Sequence, residues 1–269
     1  MRELRTCPLT GTVVLLNDAW VERPPAPRAP PSPCPWCAFE GPVITRRGDW
    51  RACPHPTPAL GVEGSVELRV GHGRVARDAL GVHEVLVGPH EGAAAEALAL
   101  GAERVADLRG DRRLGELRLV RRDRPGAHAA WQLLGLPWAL PNGDVAAWRD
   151  AELADGARLV GVHDGVGAVL AWAPRVPFEL WIVPTSGREG LAGADAGAAL
   201  LGPSLARLRR ALGPVDIDVV VIDGAPWRIE LLPRLRAPWP GEVALGVPHH
   251  GVVPEVAAAY LRARPTEAG

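Results

Sequence analysis

Seven prolines fall between residues 24 and 35, and the run ends on Cys34-Pro35-Trp36-Cys37. A proline ring fixes φ and removes a backbone donor, so this stretch can be neither helix interior nor central strand. It reads as an extended connector that delivers two cysteines on a short turn. Four cysteines in 269 residues do not make a disulfide scaffold. The CxxC spacing therefore points to metal or redox chemistry.

The rest of the composition narrows the field further. No residue is lysine, and all 30 basic residues are arginine. Against this Arg-, Ala-, Gly- and Pro-rich background, the four Cys, eight His and two Asn carry the most information. A formal net charge of -1 gives no reason to expect nucleic acid as a partner. No apolar run approaches the roughly 18 residues that would span a bilayer. Met1 to Arg5 lacks the apolar core of a signal peptide. These features lead us to expect a cytoplasmic protein that does not engage membranes.

Hydrophobic periodicity predicts strands at Thr12 to Leu16, Val66 to Val70, His83 to Val87 and Leu114 to Arg122. In the last of these, Leu117 and Leu119 alternate with Glu116 and Arg118. Ala93 to Leu108 reads as a helix. Gly135 to Gly143 is rich in turn residues, and a junction is expected near residues 141 to 150. Beyond it, strands are predicted at Ala157 to His163, Ala168 to Ala173, Glu179 to Val183, Val215 to Ile222 and Trp227 to Leu232. Helices are predicted at Ala194 to Leu212 and from Pro254, a favoured first-turn residue, to Arg264. Strands, a helix, then strands in each half give an α+β fold with antiparallel sheets. The expected units are residues 1–143 and 144–269.

An ordered set of segments resembles the galactose-1-phosphate uridylyltransferase family of the histidine-triad superfamily. The set starts with Cys7-Pro8-Leu9-Thr10-Gly11, Glu22-Arg23-Pro24 and the Cys34-x-x-Cys37 hook. It continues through Trp50-Arg51 and Pro54-His55-Pro56-Thr57-Pro58-Ala59-Leu60. Next come His83-Glu84-Val85 with Pro89-His90, then Pro177-Phe178-Glu179-Leu180-Trp181-Ile182-Val183-Pro184. Trp227-Arg228-Ile229-Glu230-Leu231-Leu232-Pro233-Arg234 and the final helix complete it. The resemblance implies two tandem histidine-triad-like halves, a homodimer, and a zinc ion held by Cys34, Cys37, His90 and His128. Two thiolates and two imidazoles satisfy a tetrahedral structural site. Within the sequence, Cys53 and His55 offer an alternative completion of Cys34 and Cys37.

Family members attack a nucleotide α-phosphorus with the second histidine of His-Pro-His-x-Gln, forming a covalent nucleotidyl intermediate. The matching stretch is His128-Ala129-Ala130-Trp131-Gln132. The zinc histidine and the glutamine remain at their spacing, but the nucleophile position is Ala130, which has no lone pair. His55 stands where the family has a nucleotide-contacting Asn, and could equally be a polar cleft residue. Gly187 and Arg228 stand where the family has histidines. The resemblance implies that Arg23, Gln132 and Arg228 contact nucleotide, with Glu230 beside them and no catalytic residue in the usual place. The expected function is binding of a nucleotide or sugar nucleotide with uridylyl transfer lost. The alternatives are an active nucleotidyltransferase or phosphorylase using His128 or direct displacement, and a zinc-stabilised scaffold or regulatory partner. Trp20, Trp36, Trp50, Trp131 and Trp227 are expected near the cleft, either filling it or stacking on a base. His83 is expected as a strand residue packed near it.

Overall fold

The computed structural model of the chain describes residues 2–17, 36, 39–56, 58–63, 67, 69–71, 74–76, 80–89, 94–128, 130–136, 139, 142–187, 190–238 and 240–264. In the first half these form β1 (Arg2–Thr6), β2 (Val13–Asn17), β3 (Thr45–Arg47), β4 (Trp50–Pro54), β5 (Arg69–Gly71), β6 (Arg74–Ala76) and β7 (Val82–Val87). Helix α1 (Ala94–Leu108), β8 (Glu116–Asp123) and β9 (Trp131–Leu136) follow. The second half has α2 (Val145–Asp155), β10 (Leu159–His163), β11 (Val166–Leu170), β12 (Leu180–Pro184), α3 (Asp195–Leu212), β13 (Ile217–Ile222) and β14 (Arg228–Pro233). It ends with α4 (Pro240–Leu245), β15 (His249–His250) and α5 (Pro254–Arg262).

Ten strands make one sheet in the order β10-β11-β12-β14-β13-β8-β9-β7-β4-β3, all neighbours antiparallel. The two halves share a topology. Within the ten-stranded sheet each half contributes three strands, then, after a helix, two more, the last of which inserts between the third and fourth. The halves meet where β8 pairs with β13, so the sheet is continuous across the expected junction. The α+β class expected from the sequence is what the structure has.

Alternation along the strands sorts residues to two faces. Ala52, Leu86, Trp131, Leu133, Leu119, Val219, Val221, Ile229, Leu231 and Ile182 point to one face and form the main core with the helices. Helix α1 lies against α3, β4 and β7, while α3 covers β11, β12 and β14, and α5 covers β10 and β11. Gly101 allows the close approach of α1, because a Cβ there would stand 2.3 Å from Leu119 Cδ1. The opposite face is partly covered by a second cluster, in which Cys7, Leu9 and Val14 of the N-terminal hairpin region and Val145 and Trp148 of α2 pack on Trp181 and Val183. Over β8, β9 and β13 this second face carries half-buried side chains: Arg118, Val120, Gln132, Leu134 and Val220.

Several element bounds differ from expectation. Helix α2 occupies the segment read as a junction. Asp144 caps its N-terminus by accepting from the Ala147 amide at 2.9 Å, and Gly156 at φ 68° ends it. Strand β11 begins two residues before the predicted Ala168, because the turn at Asp164 and Gly165, both at positive φ, starts the return strand early. Strands β4 and β9 were not anticipated. The Val66 to Val70 strand is seen only as β5, and Val66 and Leu68 lie outside the described residues.

Candidate functional site

Gln132 lies on β9, paired laterally with Val85 of β7 and Val120 of β8. His83 is two residues before Val85 and so shares its face, diagonal to Gln132. The His83 Nε2 and Gln132 Oε1 atoms are 3.0 Å apart. On the other side of the ring, the Ala59 amide donates to His83 Nδ1 at 3.0 Å. The His55 ring stacks on His83 with centroids 4.0 Å apart and planes at 12°. Trp36 meets His55 edge-on at 5.7 Å and Phe39 at 6.0 Å. Burial pushes the His83 imidazole below its ordinary pKa; the hydrogen bond to Gln132 offsets part of this, and His55 lowers it further. A neutral imidazole suits these contacts.

Ala130 is buried with Cys53, Val85 and Val87 in a small apolar cluster, against which Trp36 and Phe39 pack. The position where the family resemblance would put a nucleophile is thus a methyl group against an apolar wall, beside a polar pair formed by His83 and Gln132.

Arg228, the second residue expected to contact nucleotide, lies on β14, three strands from Gln132, at about 14 Å by strand spacing. It is 1% exposed. Its Nε donates to Glu230 Oε1 at 2.7 Å and its Nη1 donates to Asn142 Oδ1. Its guanidinium also lies 5.2 Å from the Trp181 ring. Arg175 donates to both Glu230 and Glu179, and Trp181 Nε1 donates to Glu179 at 2.8 Å. Burial alone would raise the Glu230 carboxyl, but Arg175 and Arg228 outweigh it and hold the group below the usual range. The two acids and two arginines balance one another inside the protein. The structure therefore does not bring Gln132 and Arg228 together.

Arg23, Cys34, Cys37 and His90 lie outside the described residues, as does Trp20. Among the described residues no group of three or more His, Cys, Asp and Glu could hold a metal ion. The described neighbours of the expected zinc ligands do converge. Trp36, from the CxxC turn, packs on the Ala130 cluster. Pro89, next to His90, follows β7, and His128 precedes β9. Because β7 and β9 are antiparallel, with Leu86 opposite Trp131, these two segments leave the sheet at the same end. Cys53, from the alternative ligand set, is fully buried in the apolar cluster.

The tryptophans depart from expectation. Trp50, Trp131 and Trp227 are buried in the helix-side core, where no base could stack on them. Among the described residues of the five, Trp36 is the one beside the His55 and His83 rings. Strand alternation accounts for this, since Trp131 precedes Gln132 and must face the other way. The pairing of His83 with Gln132 was likewise missed. His83, Val85 and Gln132 are visible in the sequence, but the register that sets them on one diagonal is not.

No helix among the described residues is long and apolar enough to cross a membrane. No family model and no curated protein matches the chain. Solved structures do. An ADP-glucose phosphorylase from Arabidopsis thaliana, with bound ADP-glucose, superposes with a TM-score of 0.77 at 17% identity, covering 100% of both chains. A GalT-like protein from Arabidopsis thaliana gives 0.76 at 17% identity over 99% of this chain and 100% of that one. A uridylyltransferase gives 0.67 at 18% identity over 98% of each. Over its full length, the chain has the fold of the GalT-like proteins, ADP-glucose phosphorylase and uridylyltransferase.

Proposed function

We propose that this chain is a diverged member of the galactose-1-phosphate uridylyltransferase family that binds a nucleotide or sugar nucleotide without forming a nucleotidyl-enzyme. The observation that carries this reading is the arrangement around β9: Gln132 is half-buried and held by His83, while Ala130, two residues earlier, is an apolar contact of Cys53, Val85 and Val87. Binding groups and a missing nucleophile thus lie side by side. The ADP-glucose bound in the phosphorylase of the same fold supports a nucleotide sugar as the ligand class. The ligand lies over β7 and β9 in the N-terminal half, with Gln132 donating to phosphate and Arg23 contributing from the segment before the CxxC turn. Arg228 stays in its ion network.

Cys34, Cys37, His90 and His128 hold one zinc ion in this reading, and the ion clamps the connector to the ends of β7 and β9. Its role is structural.

The test is calorimetry of metal-analysed protein with UDP-glucose, ADP-glucose, UDP and ADP, with intact-mass analysis for a covalent adduct. Binding with about one zinc per chain and no adduct is expected. An adduct on His128 would restore nucleophilic catalysis. Absence of binding to all four ligands would sink the nucleotide reading.

A further inference from the structure

The polarity of the His83–Gln132 contact is set by the backbone. The Ala59 amide approaches His83 Nδ1 at 3.0 Å. An amide N–H only donates, so Nδ1 carries the lone pair and not the proton. A neutral imidazole then has its one proton on Nε2, where Gln132 Oε1 lies 3.0 Å away. His83 donates and the Gln132 oxygen accepts. The stacked His55 ring covers one face of His83 and resists rotation of the imidazole.

This has a consequence for Gln132. A carboxamide that turns freely can offer its oxygen or its nitrogen to a ligand. Here, turning it over would set its NH2 against the His83 N–H and lose the hydrogen bond. The oxygen is held toward His83, and the NH2 with its two N–H donors points away from it. Gln132 is half-buried on β9, with the apolar Val120 beside it on β8. Donors at such a partly desolvated position favour an acceptor that carries charge.

We infer that His83 is a positioning residue that fixes the Gln132 carboxamide with its oxygen toward the imidazole and its NH2 turned outward to ligand, and that the site selects ligands presenting an unprotonated phosphoryl oxygen, as in a nucleoside diphosphate, over groups that themselves donate. The inference rests on the reading of this face as a nucleotide site. Both nitrogens of His83 are engaged, so His83 does not act as a nucleophile or base here.

Two measurements on the full chain test it. In the ligand-free protein at neutral pH, nitrogen-resolved NMR of the histidines should show His83 protonated on Nε2 alone. A proton on Nδ1, alone or as imidazolium, overturns the positioning. Calorimetry with ADP, UDP and inorganic pyrophosphate then compares two substitutions. His83→Gln can set an N–H donor where Nε2 was, whereas His83→Asn reaches only the Nδ1 position. The expected result is a loss of about tenfold in affinity for His83→Asn, the scale of one hydrogen bond to a charged group, with affinity largely restored in His83→Gln. Equal losses in the two variants, or none in either, overturn the inference. Wild-type protein with the Nε2–H form that binds none of the three probes overturns the ligand class together with the nucleotide reading, and is thereby distinguished from a failure of the positioning alone.

Discussion

His250 makes the folded state sensitive to mild acid by a calculable amount. It lies on β15, which pairs in parallel with β2, and its side chain is 1% exposed. Nε2 donates to the Pro174 carbonyl at 2.8 Å, and buried Nδ1 has no hydrogen-bond partner among the described residues. A second proton would sit on Nδ1 with no acceptor. Burial, the largest influence, pushes the pKa from 6.5 down to about 4; the Pro174 carbonyl and Glu242 oppose this, and Arg236 and His249 add to it. The folded pKa is depressed, so the unfolded chain takes up the proton first. The stability is fully present above pH 6.5 and is lost as pH falls toward 4. At about 1.4 kcal/mol per unit, the whole shift corresponds to about 3 kcal/mol, and about 2 kcal/mol of it is lost between pH 7 and pH 5. That is a large share of a typical domain's stability of roughly 5–15 kcal/mol. His250→Gln keeps an N–H for Pro174 and removes the titration. Urea unfolding of both proteins at pH 7 and pH 5 isolates the effect, because the other titrating groups, Glu230, Glu255 and His83 among them, are common to the two. The wild type should lose about 2 kcal/mol more than the variant over this interval. Parallel pH profiles would refute the reasoning.

Two further substitutions probe the frame around the site. Glu230→Gln leaves Arg175 and Arg228 facing each other with one buried counter-charge fewer, and should cost about 3–5 kcal/mol in chemical denaturation. A loss below about 1 kcal/mol would show that the network is not electrostatically closed. Gly81 has φ 151°, and a Cβ there would stand 2.0 Å from the Gly135 carbonyl oxygen. Gly81→Ala must therefore displace the start of β7 from β9, where Val82 faces Gly135. It should lower the melting temperature and weaken nucleotide binding together, and a variant with unchanged binding would show that the His83–Gln132 contact does not depend on that register.

Most of the architecture was legible because strand and helix periods differ. Val82–Val87, Glu116–Asp123, Ile217–Ile222 and Arg228–Pro233 were each placed within two residues, as were α1 and α3. Helix α2 was hidden because it follows a turn-rich segment and its buried face carries the charged Arg149 and Glu152 beside Val145, Ala146 and Trp148, which blurs the apolar stripe. Strand β9 was hidden because Gly135 interrupts it and Leu133-Leu134 breaks the apolar–polar alternation. The site was legible as a list of residue types but not as a geometry. Gln132 could be named from the spacing of its motif, yet its partner His83 is 49 positions away in sequence and is brought to it by strand pairing. Arg228 was expected to contact nucleotide because the sequence does not show that Glu230, Asn142 and Trp181 enclose it.

The shared topology of the two halves explains why a single binding face is expected. One lateral row runs Val85, Gln132, Val120, Val220, Glu230, Trp181 across β7, β9, β8, β13, β14 and β12. Its midpoint is the Val120–Val220 pair, so Gln132 and Glu230 are counterparts, and His83 and Glu179, each two residues before the row, are counterparts as well. In the second half this pair is two carboxylates, bridged by Arg175, with Trp181 donating to Glu179. Acids so neutralised offer a phosphate nothing. In the first half the pair is neutral, half-buried and polarised to present donors. In the proposed reading, one half of this repeated frame is closed by internal ion pairing and the other receives the anion, and the difference comes down to His83 and Gln132 standing where the other half has Glu179 and Glu230.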